Sequence, residues 1–133
     1  MFKRILVPTD GSEITTKAIN TAIDLAQAGS GQMFAVSVKE PFPYSAISEM
    51  QPVPPQEFYD AQERIAAARV KAVVDAAAGT GVTCNAHTVE ALHAWEAILD
   101  HAKAQKCDLI VMASHGRRGV AALLLGSETS RVL

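Results

Sequence analysis

Residues 2–13 read FKRILVPTDGSE, and this stretch decides the fold. Residues 5–7 form an apolar run with no polar alternation, which is typical of a strand buried on both faces of a parallel sheet. Ser12 and Glu13 then favour the start of a helix, because a hydroxyl at the N-cap and an acid in the first turn both stabilise the helix N-terminus. A buried strand followed at once by a helix predicts an α/β unit.

The rest of the chain repeats this alternation of strand and helix. Apolar residues recur at helical spacing from Ala18 to Ala26, and residues 33–38 form a second buried strand. Residues 57–78 predict a long alanine-rich helix, and residues 82–89 predict a more exposed strand near the sheet edge. The face of the long helix predicted to pack on the sheet contains Phe58, Ala61, Ile65, Ala68, Ala72 and Ala76.

A third helix from Trp95 to Ala102 and a buried strand at 108–112 complete the order βαβαβαβ. Crossovers of this kind are right-handed and place helices on both faces of the sheet. The prediction is one α/β domain over residues 1–133, with a doubly wound open parallel sheet and helices on both faces. Residues 40–56 hold five of the six prolines and predict a long loop, either a lid or partner surface or a simple surface insertion.

Composition limits the partners of the chain. Its 133 residues carry a net charge of −2, so no broad positive field is available for nucleic acid or an anionic membrane. The apolar run at the N-terminus is too short for a signal sequence or a membrane span, which favours a cytoplasmic location. His87, His93 and His101 have no common metal-ligand spacing and are expected on strand and helix surfaces.

Two polar segments follow buried strands at the edge where an open parallel sheet binds its ligand. Residues 8–12 (PTDGS) follow strand one, and residues 113–119 (ASHGRRG) follow strand four. They reach one site only if these two strands are neighbours. Gly126 and Ser127 predict a further helix start, whose free N–H groups suit a phosphate chain. The sequence contains neither the P-loop pattern nor the dinucleotide glycine pattern after strand one.

The spacing of small residues in the C-terminal third carries a resemblance to a known family. Ala113, Gly116, Gly126 and Ser127 correspond to the motif G-x-x-G, nine residues, G-[ST], with alanine at the first glycine. Together with the PTDGS segment at 8–12, this motif resembles the universal stress protein family over essentially the whole chain. The resemblance implies the strand order 3-2-1-4, a regulatory protein of the stress response that binds ATP or another adenine nucleotide, and a homodimer.

The resemblance also implies a binding role for residues near the first two strands. Pro8 and Thr9 belong to the implied site, with Pro8 shaping the adenine pocket. Asp10 faces the ribose or a phosphate-bound metal such as Mg²⁺, and the backbone of Val38 binds the adenine edge. Asp10 and Ser12 would also serve as helix-capping residues without any ligand.

The remaining implied contacts involve the phosphates. Gly116 and Arg117 wrap the phosphate chain, and Ser127 with the N–H groups after it caps the chain at a helix N-terminus. Ala113, Gly126 and Glu128 complete the implied binding set.

Two departures from the family's pattern support an alternative function. Ala113 replaces a glycine, and Glu128 places an acid beside the implied phosphate site. The alternative is a nucleotide-independent stress-response scaffold that dimerises. No catalytic residue or general base is identifiable, so we expect at most slow ATP hydrolysis. The family's fifth strand is expected to be absent, because the chain ends at Leu133 before such a strand.

Overall fold

The structure, a computed structural model, describes residues 2–39, 56–114, 119–125 and 130–132. The strands are β1 (Arg4–Pro8), β2 (Gln32–Lys39), β3 (Cys84–Glu90), β4 (Leu109–Ser114), β5 (Gly119–Leu125) and β6 (Ser130–Val132). The helices are α1 (Glu13–Gly29), α2 (Gln56–Ala77) and α3 (Ala94–Ala104).

All six strands form one sheet in the order β3-β2-β1-β4-β5-β6. Strand β1 is parallel to both β2 and β4, and β2 is parallel to β3. The predicted order 3-2-1-4 is therefore confirmed, with the more exposed third strand at the edge of the sheet.

The expectation that no strand follows the fourth is wrong. Strand β5 pairs antiparallel with β4, and β6 pairs antiparallel with β5. Residues 120–125 (VAALLL) are apolar and contain no proline, so every backbone N–H can take part in pairing. Their pairing occupies the backbone groups along the outer edge of β4, which a four-stranded sheet would leave open. The parallel sheet thus carries an antiparallel extension.

Strand β1 is buried on both faces at the centre of the four parallel strands. Ile5, Leu6 and Val7 have no exposed surface. Ile5 and Val7 pack in the core cluster beneath α1 and α2, whereas Leu6 packs in the cluster beneath α3. This division follows from the alternation of side chains across a strand. Helices cover both faces of the sheet, as predicted.

Two helices on the same face of the sheet differ in how well periodicity predicts their packing. The predicted stripe of α1 is buried, and it comprises Ala18, Ile19, Ala22, Ile23 and Ala26. The predicted face of α2 is wrong, and the buried residues are Ala66, Val70, Val73 and Ala77. Ile65, which was predicted to pack, is 44% exposed. A valine buries more apolar surface than an alanine, so α2 turns Val70 and Val73 towards the sheet.

A close backbone approach fixes the turn from α1 into β2. Ser30 ends the helix in the left-handed conformation, with φ 53°, and Gly31 donates its N–H to the carbonyl oxygen of Ala26 at 2.8 Å. A Cβ atom on Gly31 would lie 2.7 Å from the carbonyl oxygen of Phe2 and 2.9 Å from Cα of Lys3. These atoms belong to the backbone that leads into β1, so a side chain at Gly31 would push β1 and β2 apart.

We expect Gly31→Ala to lower the free energy of unfolding by about 3 kcal/mol, the upper end of the cost of overpacking, because backbone atoms have little room to move. Gly79→Ala is the matched control. Gly79 has φ +82°, but nothing lies within 4 Å of an added Cβ, so only the left-handed cost of about 1 kcal/mol applies. Urea unfolding measures both variants, and equal destabilisation would contradict the close approach.

Candidate functional site

A cleft of about 410 Å³ lies at the carboxyl ends of the parallel strands, within the range of about 300–1,000 Å³ typical of small-molecule sites. It lies where β1 has β2 on one side and β4 on the other, the point of an open α/β sheet at which ligands bind. The described residues that line it are Pro8, Thr9, Asp10, Thr15, Val36, Val38, Arg69, Ala91, Leu92, Ala94, Ile98, Met112 and Ala113. The two polar segments reach one site only if strands one and four are neighbours, and the pairing of β1 with β4 confirms that they are.

Thr9 follows β1 and begins the turn into α1. Its N–H donates to the carbonyl oxygen of Val36 at 2.9 Å, which holds the end of β1 against β2. The Thr9 hydroxyl oxygen accepts a hydrogen bond from the N–H of Gly11 at 3.2 Å, and Thr9 is buried. Gly11 has φ +80°, a backbone conformation that glycine adopts without strain. The turn is therefore fixed at the floor of the cleft.

Asp10 organises the same turn. Its Oδ1 accepts hydrogen bonds from the N–H of Ser12 at 2.9 Å and from the hydroxyl of Thr15 at 3.0 Å. Ser12 occupies the N-cap position, but its hydroxyl contacts Thr15 Oγ1 at 3.1 Å and makes no capping hydrogen bond. Asp10 thus stabilises the turn before α1 without capping the helix, and it also lines the cleft.

Val38 presents backbone groups to the cleft. Both backbone groups of a strand residue point to the same side, and the sides alternate along the strand. The carbonyl of Val36 faces β1, where it accepts from Thr9, so the N–H and C=O of Val38 face that side too. The pairing of β1 with β2 ends at Pro8 and Val36. The Val38 groups therefore face the cleft beyond the end of β1.

Ala113 lines the cleft from the end of β4, where it pairs with Val120 of β5. Among the described residues other than glycine, positive φ occurs at Ser30 and Lys106. Ala113 therefore has strand backbone, and its methyl group causes no left-handed strain.

The structure brings Pro8, Thr9, Asp10, Val38 and Ala113 into one cleft. The other predicted binding residues, Gly116, Arg117, Gly126, Ser127 and Glu128, lie outside the described residues, as do residues 40–55 of the proline-rich loop. Strand β5 runs away from the cleft, so that its Leu124 pairs with Leu109 at the start of β4. The phosphate-binding roles of the five residues stay predictions.

Part of the cleft wall was not predicted from the sequence. Ala91, Leu92 and Ile98 form an apolar wall from the end of β3 and from α3, and Arg69 reaches the cleft from α2. Ile98 belongs to a helical apolar pattern, which predicts burial but not a ligand cleft. A single arginine on an alanine-rich helix carries no periodic signal, so only the packing of α2 against the turn after β1 places it here.

An ion pair attaches α2 to the strand ends beside the cleft. Lys39 Nζ lies 2.5 Å from Glu63 Oε2, and the hydroxyl of Thr88 donates to Glu63 Oε1 at 3.2 Å. Glu63 of α2 therefore contacts both β2 and β3. The hydrogen bond from Lys39 lowers the pKa of the Glu63 carboxyl, so this carboxyl stays charged at neutral pH.

Two of the histidines expected on surfaces are in contact. The rings of His87 on β3 and His101 on α3 lie 4.8 Å apart between centroids, tilted by 58°. His87 Nδ1 and His101 Nε2 are buried with no hydrogen-bond partner. Burial, and to a smaller extent the neighbouring His87, lowers the pKa of His101. This contact joins β3 to α3, the helix that carries Ala94 and Ile98 of the cleft wall.

The pKa shift of His101 predicts a loss of stability in acid. Because this pKa is lower in the folded chain than its ordinary value of 6.5, the unfolded chain takes up the proton at higher pH. Stability is therefore full above about pH 6.5 and falls as the pH drops below that value. His101→Phe keeps a ring but cannot titrate, so it should lose less stability than the unmodified chain between about pH 7 and about pH 5.

The control for this prediction is His93→Phe, which alters an exposed histidine and should keep the native pH dependence. Urea midpoints at the two pH values provide the measurement. A pH dependence of His101→Phe equal to that of the unmodified chain would contradict the assignment.

The described part of the chain provides neither a cluster of metal ligands nor an ionised thiol. Its His, Cys, Asp and Glu residues form no group of three or more that could hold a metal ion. Burial raises the pKa of Cys84 and Cys107 to about 11, so both thiols are protonated at neutral pH. The described helices include none with the length and apolar character needed to cross a bilayer.

The order of the parallel strands and the position of the cleft at their carboxyl ends define a doubly wound α/β domain. The chain belongs to the universal stress protein family, whose sequence profile matches residues 1–133. A universal stress protein of Methanocaldococcus jannaschii is 30% identical over 142 aligned positions, which cover 100% of this chain and 76% of that protein. A universal stress protein of Thermus aquaticus is 34% identical over 133 positions, which cover 100% of this chain and 92% of that protein.

Solved structures share the fold at lower identity. A universal stress protein family member of Burkholderia pseudomallei has a TM-score of 0.70 and 23% identity, covering 86% of this chain and 83% of that one. A universal stress protein in complex with cAMP has a TM-score of 0.60 and 23% identity, covering 82% of this chain and 74% of that one. An Arabidopsis thaliana family member with AMP bound has a TM-score of 0.64 and 15% identity, covering 86% and 78%.

Proposed function

We propose that this protein is a regulatory adenine-nucleotide-binding protein of the stress response and that the nucleotide occupies the cleft at the strand ends. The observation that carries the proposal is the position of the Val38 backbone groups, which face the cleft beyond the end of β1. An N–H donor next to a C=O acceptor matches the Watson–Crick edge of adenine, which offers a ring nitrogen acceptor and an amino donor.

The remaining wall of the cleft suits the rest of a nucleotide. Leu92 and Ile98 offer apolar contact to the faces of a base. Asp10 lies at the polar end, where a carboxylate can accept hydrogen bonds from ribose hydroxyls. The same carboxylate would hold Mg²⁺ when the ligand brings its own phosphate oxygens, because Mg²⁺ needs only one or two protein carboxylates in such sites.

The molecules bound by two structural neighbours indicate the class of ligand that this cleft would take. One neighbour is described in complex with cAMP and another with AMP bound, so an adenine nucleotide is common to both. We propose ATP as the ligand of this chain on the strength of the predicted phosphate contacts at Gly116, Arg117 and Ser127.

We further propose that occupancy of the cleft changes the shape or association of the protein, which a partner then detects. The cleft-lining residues of the described chain include no histidine and, besides Asp10, no carboxylate that could act as a general base. Binding rather than turnover is therefore the proposed activity. The homodimer and the cytoplasmic location stay predictions from the sequence.

Calorimetric titration with ATP, AMP and IMP tests this function. We expect micromolar binding of ATP and AMP, and binding of IMP weaker by about tenfold or more. IMP reverses the donor and acceptor positions on the edge that Val38 would contact, and a buried polar mismatch costs at least that much. Equal affinity for AMP and IMP would contradict the contact with Val38.

Val38→Trp tests the location of the site, because an indole at this position fills the cleft. We expect it to weaken AMP binding by about tenfold or more, since no ligand atom can then approach the Val38 backbone. Val89→Trp is the matched control, because Val89 is the register neighbour of Val38 on β3 and does not line the cleft. Absence of nucleotide binding in the folded, unmodified chain would favour the nucleotide-independent scaffold instead.

A further inference from the structure

Arg69 is the one cation among the described residues that line the cleft. It extends from α2 across the turn that follows β1. A Cβ atom built on Gly11 would lie 3.1 Å from Arg69 Cγ and 3.2 Å from Arg69 Nε. The arginine stem therefore lies directly against the backbone of Gly11. Only a residue without a side chain leaves this room, so the glycine and the arginine fit together.

Arg69 differs from Lys39 and Arg4 in its contacts with the described residues. Lys39 pairs with Glu63, and Arg4 donates to the carbonyl oxygen of Gln105 at 2.7 Å while its guanidinium lies 4.5 Å from the centroid of the Phe34 ring. Within the described ranges, Arg69 makes neither a hydrogen bond nor an ion pair. A half-buried guanidinium with five N–H donors is thus available to a molecule in the cleft.

The charges on the cleft wall indicate the kind of ligand group that Arg69 would bind. Asp10 and Arg69 are the charged residues among the described residues of the cleft wall. An anionic ligand is attracted by the guanidinium and repelled by the carboxylate. A guanidinium binds two oxygens of a phosphate at once, with hydrogen bonds that are stronger than those between neutral groups.

We propose that Arg69 binds a phosphate group of the ligand, from the side of the cleft formed by residues 9–11. The proposal rests on the adenine-nucleotide function and adds to it a binding residue from α2. It makes the affinity of the cleft depend on ligand charge. The first phosphate attached to the nucleoside is the group that Arg69 contacts.

The experiment compares adenosine, AMP and ribose 5-phosphate as ligands in calorimetric titrations of the whole chain. Arg69→Met removes the charge and keeps the helix propensity and much of the apolar stem. Arg69→Lys keeps the charge without the planar fork. Arg64→Met is the matched control, because Arg64 is an exposed arginine on the same helix and does not line the cleft. Circular dichroism verifies that each variant is folded.

We expect Arg69→Met to weaken AMP and ribose 5-phosphate by about 10- to 100-fold, the loss of charge-assisted hydrogen bonds, with adenosine affinity unchanged within about twofold. The affinity of Arg69→Lys for these two ligands should lie between those of Arg69→Met and the unmodified chain. Arg64→Met should match the unmodified chain. Equal weakening of adenosine and AMP by Arg69→Met, or no weakening of AMP, would overturn the proposal.

The ligand series separates failure of this inference from failure of the proposed function. If the unmodified chain binds adenosine and AMP equally, nucleotide binding stands and the role of Arg69 is overturned. If it binds ribose 5-phosphate through Arg69 but does not bind adenosine, the phosphate contact stands and the adenine assignment fails. If none of the three ligands binds, both proposals are overturned.

Discussion

The burial of β1 on both faces is the constraint on which the rest of the structure depends. Ile5, Leu6 and Val7 are fully buried, and β1 pairs in parallel with β2 on one edge and β4 on the other. A strand paired on both edges cannot lie at the rim of the sheet. Because its two neighbours are reached through helices on opposite faces, a gap opens where β1 ends, and that gap is the cleft.

The same strand end decides what the cleft offers to a ligand. Thr9 makes the last hydrogen bond to β2, so the backbone groups of Val38, two residues beyond Val36, face open space. The turn that follows brings Asp10 to the cleft. Because Gly11 in this turn has no side chain, the side chain of Arg69 lies against its backbone. Hydrogen-bonding backbone, carboxylate and guanidinium thus come from three separate elements. An apolar wall from β3 and α3 completes the arrangement, as expected of a site for an amphipathic small molecule.

The sequence predicts the parallel part of the fold because buried strands and amphipathic helices leave strong patterns, as at residues 5–7. It fails where the signal depends on packing. Alanines lie on several faces of α2, so they led to the wrong predicted face, whereas Val70 and Val73 pack on the sheet. Residues 120–125 are apolar without periodicity, so their pairing with β4 was not foreseen. Half of the predicted binding residues meet in the cleft, whereas Arg69 was missed, because its place there depends on contact with a turn 58 positions earlier in the chain.

The most direct test of the central claim is a titration of ¹⁵N-labelled protein with AMP, followed by the chemical shifts of the backbone amides. Binding at the strand ends predicts that the largest shifts occur at Thr9, Asp10, Val38 and Met112, all of which line the cleft. No change in any amide would contradict the account. So would shifts confined to the depression around Glu96 and Asp100, which is lined by α3 and the end of β3.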